Sequence, residues 1–143
     1  MNEPDVIRRM LGNPPRDPRT LAVVGLSDDI RRPSNSVSDY MQRHGYRILP
    51  VNPGIAHVLG ERAYPSLADL PERPDVVNVF RLPRYIPGIV DEMIDLGFQN
   101  LWVQLGIVNH PAAIKAQAAG ISVVMDRCIL IEHTRLLSAS TIV

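Results

Sequence analysis

Apolar residues along the chain fall into short blocks separated by polar, glycine and proline positions, and the spacing inside each block predicts its element. Leu21, Ala22, Val23 and Val24 form a compact apolar run rich in β-branched residues, as expected of a strand covered on both faces. Gly25 breaks the run and polar residues follow. From Ser34 the spacing turns helical: Val37, Tyr40, Met41 and His44 fall at i, i+3, i+4 and i+7 on one face, and Gly45 is the stop. Further strands are predicted at residues 46–51, 75–80, 100–105 and 121–125, with a short edge strand at 62–64. The clearest helix carries Ile86, Ile89, Val90, Met93 and Ile94 as one stripe, accepts Pro87 in its first turn and ends at Gly97. Asn109 caps an alanine-rich helix that stops at Gly120, and Asp126, Arg127 and Cys128 lead into a last helix through about residue 137. A short helix over 5–12, capped by Asp5 and ended by Gly12 and the Pro14–Pro15 pair, reads as a lid or packing arm. Ser66 opens a single helical turn over 66–70.

Strands and helices alternate throughout. The expected architecture is therefore α/β: a doubly wound, mostly parallel sheet in three layers, forming one domain over 1–143 with an N-terminal arm at 1–18. In such a sheet the ligand crevice lies beyond the carboxyl ends of the strands, where the strand order reverses. That brings together loops 25–32, 52–54, 80–83 and 104–108.

Composition narrows the classes of partner. Fifteen basic and fifteen acidic residues cancel, leaving no electrostatic footprint for nucleic acid or an anionic membrane. No apolar run is long enough to span a bilayer, and the first residues lack the basic-then-apolar pattern of a secretory signal. Cys128 stands alone, which excludes an internal disulfide and a cysteine-based zinc site; with His44, His57, His110 and His133 it matches no common metal spacing. A cytoplasmic protein without a metal is expected. The 13 prolines cluster at element boundaries and indicate tight turns.

A nicotinamide dinucleotide is the first ligand to weigh. Gly25 is followed by Ser27 and Asp28 with no second or third glycine, and Asn52 and Pro53 stand where a ribose-binding carboxylate belongs. Both features count against NAD(P), although an NAD(P)-binding redox sensor or enzyme stays open, as does a fold without ligand that serves as an interaction module.

The set Gly25-Leu-Ser27, Arg32-Pro-Ser34, Gly45-Tyr46, Pro50-Val-Asn-Pro53, Leu59-Gly60, Tyr64-Pro-Ser-Leu67, Trp102-Val-Gln-Leu-Gly106, Gly120 and Asp126-Arg-Cys128 with His133 resembles the small single-domain CoA-binding proteins. These are similar in turn to the N-terminal domain of the succinyl-CoA synthetase α-subunit. The resemblance runs from about residue 18 to 136. It implies a Rossmann-like domain holding coenzyme A, or an acyl-CoA, across the strand ends. Gly25, Ser27, Arg32 and Ser34 would face the phosphates, Val51, Asn52 and Pro53 would line the adenosine side, and Phe80, Arg81, Gln104, Gly106 and Ile107 would flank the pantetheine arm. A helix N-terminus at Ser34 supplies about half a positive charge, and Arg31, Arg32 and Arg81 sit on converging loops. In the synthetase domain a lysine follows the proline-glycine of the second loop; Ile55 occupies that position here, and Asp28 and Asp29 lie in the first loop.

No catalytic set emerges. His44 suits the last turn of a helix, His133 reads as packing, and His57 and His110 lie in loops within reach of the crevice. Cys128 is either a thiol open to disulfide exchange or a small buried residue at the start of the last helix. Trp102 fills the core, and Asp91, Glu92 and Asp95 form a solvated face. The synthetases use a phosphorylated histidine from a second domain, which has no counterpart in these residues. A non-catalytic binding or regulatory protein is the expectation. The apolar tail Leu136, Leu137, Ile142 and Val143 is compatible with a homodimer or another protein partner.

Overall fold

Each apolar run becomes a strand whose alternate side chains enter opposite apolar layers. In the computed structural model, which describes residues 1–142 and side chains through residue 139, the strands are β1 (Thr20–Val24), β2 (Arg47–Val51), β3 (His57–Val58), β4 (Glu61–Arg62), β5 (Val76–Val79), β6 (Asn100–Val103) and β7 (Ser122–Met125). The helices are α1 (Pro4–Leu11), α2 (Pro33–Arg43), α3 (Ile86–Leu96), α4 (His110–Ala118) and α5 (Ile129–Ile142). Five strands form a wholly parallel sheet in the order β2-β1-β5-β6-β7. The order reverses between β1 and β5, so the expected doubly wound Rossmann-like sheet is present.

Leu21 and Val23 of β1 pack with Met41 of α2, Met10 and Leu11 of α1 and Ile129 of α5, while Ala22 and Val24 pack with Val90 of α3 and Ala113 of α4. A one-residue slip would exchange these layers, so two-sided burial fixes the register. Trp102 is fully buried on the α2 face, as expected, and its indole Nε1 donates to the Arg127 carbonyl at 2.9 Å.

Both sheet edges are attended. On the β2 side the antiparallel β3–β4 pair brings Tyr64 against Val51, with Tyr64 N donating to Pro50 O at 2.9 Å and Asn52 N to Tyr64 O at 2.9 Å. Pro50, which lacks an N–H, is tolerated because β2 is the last strand of the main sheet. On the β7 side the Asn2 side chain donates to Met125 O at 2.8 Å and accepts from Met125 N at 2.7 Å. The arm then buries Ile7, Met10 and Leu11. Tyr46 Oη donates to the Leu11 carbonyl, and its burial pushes the phenol pKa well up. The arm is a packing element.

Several boundaries differ from the sequence pattern. α1 starts at Pro4 behind Glu3, so Asp5 sits in its first turn and does not cap it. α2 starts at Pro33, which places Ser34 inside the helix. The edge strand predicted at 62–64 is split, with Arg62 in β4 and Tyr64 on β2. Ser66 gives no side-chain cap; its hydroxyl donates to Asp69 Oδ2 at 2.8 Å beside a 3₁₀ turn at Leu67–Asp69. Ile94, placed on the buried stripe of α3, is exposed, because the face turned to the sheet is formed by Ile86, Val90 and Met93 and Ile94 stands at its margin. Asp91 pairs with Lys115 and Glu92 accepts from Ala68 N at 3.2 Å, so that helix face is partnered as well as solvated. α5 runs beyond residue 137, and Leu136 packs on the core; the side chains of Ile142 and Val143 lie outside the described residues. Among the described residues no helix is long and apolar enough to cross a membrane.

Candidate functional site

Beyond the carboxyl ends of β1, β5, β6 and β7 the chain leaves a cleft of about 940 Å³, at the upper end of the range typical of small-molecule sites. Its β1 wall is built by Gly25, Ser27, Arg32, Pro33 and Ser34. Gly25 is required there: its φ is +85°, and a Cβ would stand 2.5 Å from the Phe80 carbonyl oxygen. Its N–H donates to Val51 O at 2.9 Å. The loop is then locked onto the first turn of α2, because Ser27 N donates to Ser34 Oγ at 3.0 Å and Asn35 Nδ2 donates to Ser27 O at 2.9 Å. Asn35, a buried side chain absent from the sequence reading, fixes the loop from beneath.

Arg31 does not join the converging cations. Its Nε and Nη2 reach Asp29 Oδ1 and Oδ2, both at 3.0 Å, and this pairing holds the Asp29 carboxyl below its usual pKa. The pair forms because the two residues lie two apart in one turn, and it removes both charges from the cleft wall. Asp28 is exposed outside that wall. Arg32 and Arg81 do line the cleft, have no carboxylate partner among the described residues, and share a wall that contains no acidic residue. The Arg81 guanidinium stacks 4.0 Å from the Tyr85 ring centre, a contact that orients the cation without neutralising it.

Phe80, Gln104 and Ile107 also line the cleft, but the Gln104 amide faces inward. It is buried, its Nε2 donates to Asn78 Oδ1, and its Oε1 accepts from Ile129 N at 3.3 Å. Gln104 thereby ties β5 and β6 to the start of α5. Cys128 is neither buried core nor partnered by a disulfide: it is half-buried on the cleft wall, one residue before α5. Leu82, Tyr85, Leu105 and Ile131 complete the far wall. The expected crevice loops contained Leu82 and Leu105 without giving them a role, whereas Tyr85 and Ile131 lie in a 3₁₀ turn and in the first turn of α5, outside those loops.

Four expected site residues lie off this wall. Val51 is buried, and Asn52 donates to Leu26 O at 3.0 Å while accepting from Gly54 N at 2.8 Å. Pro53 is exposed beyond β2. Gly106, at φ +83°, donates its N–H to Asp126 Oδ1 at 2.7 Å and faces away from the cleft.

His57 and His110, expected in loops within reach of the crevice, instead open β3 and α4, and both are exposed outside the cleft wall. His44 caps α2, with Nδ1 2.8 Å from the Tyr40 carbonyl oxygen. His133 is buried against Tyr40, His44 and Tyr46, with Nδ1 2.9 Å from Tyr40 Oη. Burial, and then the neighbouring His44, lower its pKa. Among the described residues no three His, Cys, Asp or Glu side chains are grouped to hold a metal.

A parallel sheet with a cationic cleft at its strand-order reversal defines a Rossmann-like nucleotide-binding class of protein. Within that class the chain belongs to the CoA binding domain family, which it matches over residues 19–134. It is 42% identical to the uncharacterized protein YneT of Bacillus subtilis (strain 168) over 80% of this chain and 85% of that one. A solved structure from Thermus thermophilus, cell-free ID.343, superposes with a TM-score of 0.85 at 37% identity over 94% of this chain and 98% of that one. An acetate–CoA ligase (ADP-forming) II of Archaeoglobus fulgidus is 26% identical over 58% of this chain, which spans only 13% of the ligase.

Proposed function

We propose that the chain binds coenzyme A or an acyl-CoA across the carboxyl ends of its parallel strands and presents or senses the bound cofactor without transforming it. The observation that carries this reading is the pair Arg32 and Arg81, which line a wall without carboxylates and form no salt bridge among the described residues, in a chain of the CoA binding domain family. The phosphates lie at Gly25, Ser27, Arg32 and Ser34, where a helix N-terminus favours an anion. The pantetheine arm follows Phe80, Arg81 and Ile107 on the cleft wall, and the adenosine side extends toward the exposed Pro53 beyond β2, with Val51 and Asn52 supporting that loop from below. With Ile55 at the position of the lysine in the synthetase domain, the charge that offsets the CoA phosphates comes from Arg32 and Arg81.

Thermal unfolding with CoA, acetyl-CoA, NAD and NADP in parallel tests this directly. At a hundred times its dissociation constant a ligand stabilises by about 2.7 kcal/mol, so CoA raises the midpoint by several degrees while the two nicotinamide dinucleotides leave it in place. Replacing Arg32 and Arg81 by alanine weakens CoA binding by tenfold or more, while the unliganded protein still unfolds cooperatively at a midpoint lowered only by the lost stacking of Arg81 on Tyr85. A shift with NAD alone, no shift with any of the four, or undiminished CoA affinity in the double variant overturns the assignment.

A further inference from the structure

The cleft changes character along its length, and the strand order says in which direction. Arg32, Ser27 and Ser34 stand at the β1 end, whereas Leu105 follows β6 and Ile131 lies in the first turn of α5 after β7. β1 and β7 are three strand spacings apart in the sheet, or about 14 Å. Anion-binding groups therefore occupy one end and aliphatic side chains the other. Those aliphatic groups are left in water, with Leu105 61% exposed and Ile131 43%, and Leu82, in the loop after β5, is 57% exposed on the same wall. Single exposed apolar residues are ordinary, but three on the wall of one cleft form a patch that a ligand can cover. Of the polar side chains at that end, Gln104 already has its amide bonded to Asn78 and Ile129, which leaves the weakly polar Cys128 thiol.

We infer that the β6–β7 end of the cleft receives the acyl group of an acyl-CoA, and that it selects a medium-length alkyl chain over free CoA and over acyl groups ending in a carboxylate. The inference rests on the CoA reading above and specifies which form of the cofactor the site takes. With the phosphates held at the β1 end, the thioester of an extended pantetheine arm points toward Leu105 and Ile131. An alkyl chain there covers their exposed surface. A carboxylate-terminated chain meets the same apolar surface, where the lining residues include no cation and the Cys128 thiol is only a weak donor, and it recovers less of the hydration that it gives up.

The test is calorimetric titration of the full chain with CoA, acetyl-CoA, octanoyl-CoA and succinyl-CoA. The expected order places octanoyl-CoA at least tenfold tighter than CoA, with acetyl-CoA close to CoA and succinyl-CoA no tighter than it. In a Leu105→Asn, Ile131→Asn double variant the ratio of octanoyl-CoA to CoA affinity falls toward one; read as a ratio, any general loss of binding cancels. Because both side chains are exposed, the variant's unchanged melting midpoint certifies its fold. CoA binding with no gain for octanoyl-CoA, an equal gain for succinyl-CoA, or a gain that survives the double variant overturns this inference alone. Failure of every CoA species to bind overturns the CoA reading with it. A loss of self-association in the variant, with no change in acyl preference, would mean that the patch serves a second copy of the chain, and it too overturns the inference.

Discussion

His133 shows how much one buried side chain can make the protein depend on its solution. Its imidazole is enclosed by Tyr40, His44 and Tyr46, with Thr134 sharing the Tyr40 hydroxyl, and burial lowers its pKa. The unfolded chain, with a histidine near its ordinary value of about 6.5, takes up the proton first as pH falls. Stability is therefore full above about pH 6.5 and drains away below it until the folded imidazole itself protonates. Thermal melts from pH 8 to pH 5 should show a midpoint that is flat and then falls, with a shallower fall in a His133→Asn variant. Identical slopes for the two proteins would remove His133 from the account. The sequence had placed His133 in packing, and that reading holds; its ring neighbours come from residues about ninety positions away and carry no local signal. Arg31 is the opposite case. Its partner Asp29 is two residues away, yet charge counting read the two separately and assigned the cation to the ligand.

At the scale of elements, Asn109 joins two helices that share one face of the sheet. Its Oδ1 accepts from Ala112 N at 3.0 Å and caps α4, and its Nδ2 donates to Pro83 O at 3.0 Å just before α3. Asn109→Ala should cost about 1–2 kcal/mol in urea unfolding, the usual value of an N-cap with one further bond. Asn109→Asp should recover most of that loss by retaining the cap. The cap was legible because an Asn before an alanine-rich helical period has few other roles, and the five main strands were legible because their apolar runs are short and bounded by Gly, Pro or Asn. What stayed hidden is where strands stop. β5 and β6 end at Val79 and Val103, so Phe80 and Leu105, which read as part of the strands, stand on the cleft wall. Periodicity has no means of separating the last residue of a strand from the first residue of a wall.

For the molecule as a whole, the arm completes the fold. It closes the β7 edge through Asn2, buries Met10 and Leu11 in the α2 layer, and accepts the Tyr46 hydroxyl. Removing residues 1–12 should cost at least about 3 kcal/mol, the scale of deleting large buried side chains, and should expose an unpaired strand edge prone to association. Urea midpoints with light scattering measure both effects, and a truncated chain as stable and monodisperse as the original would show the arm to be dispensable. The arm's tip binds Met125 at the carboxyl end of β7, so arm and cleft meet through β7 and the turn into α5. The bond from the Trp102 indole to the Arg127 carbonyl sits on that path, in a dry interior and next to the half-buried thiol that borders the cleft. As Trp102 is the one tryptophan in the sequence, the native chain carries its own fluorophore beside the cleft. Occupancy of the cleft can be followed by emission, with no dye attached.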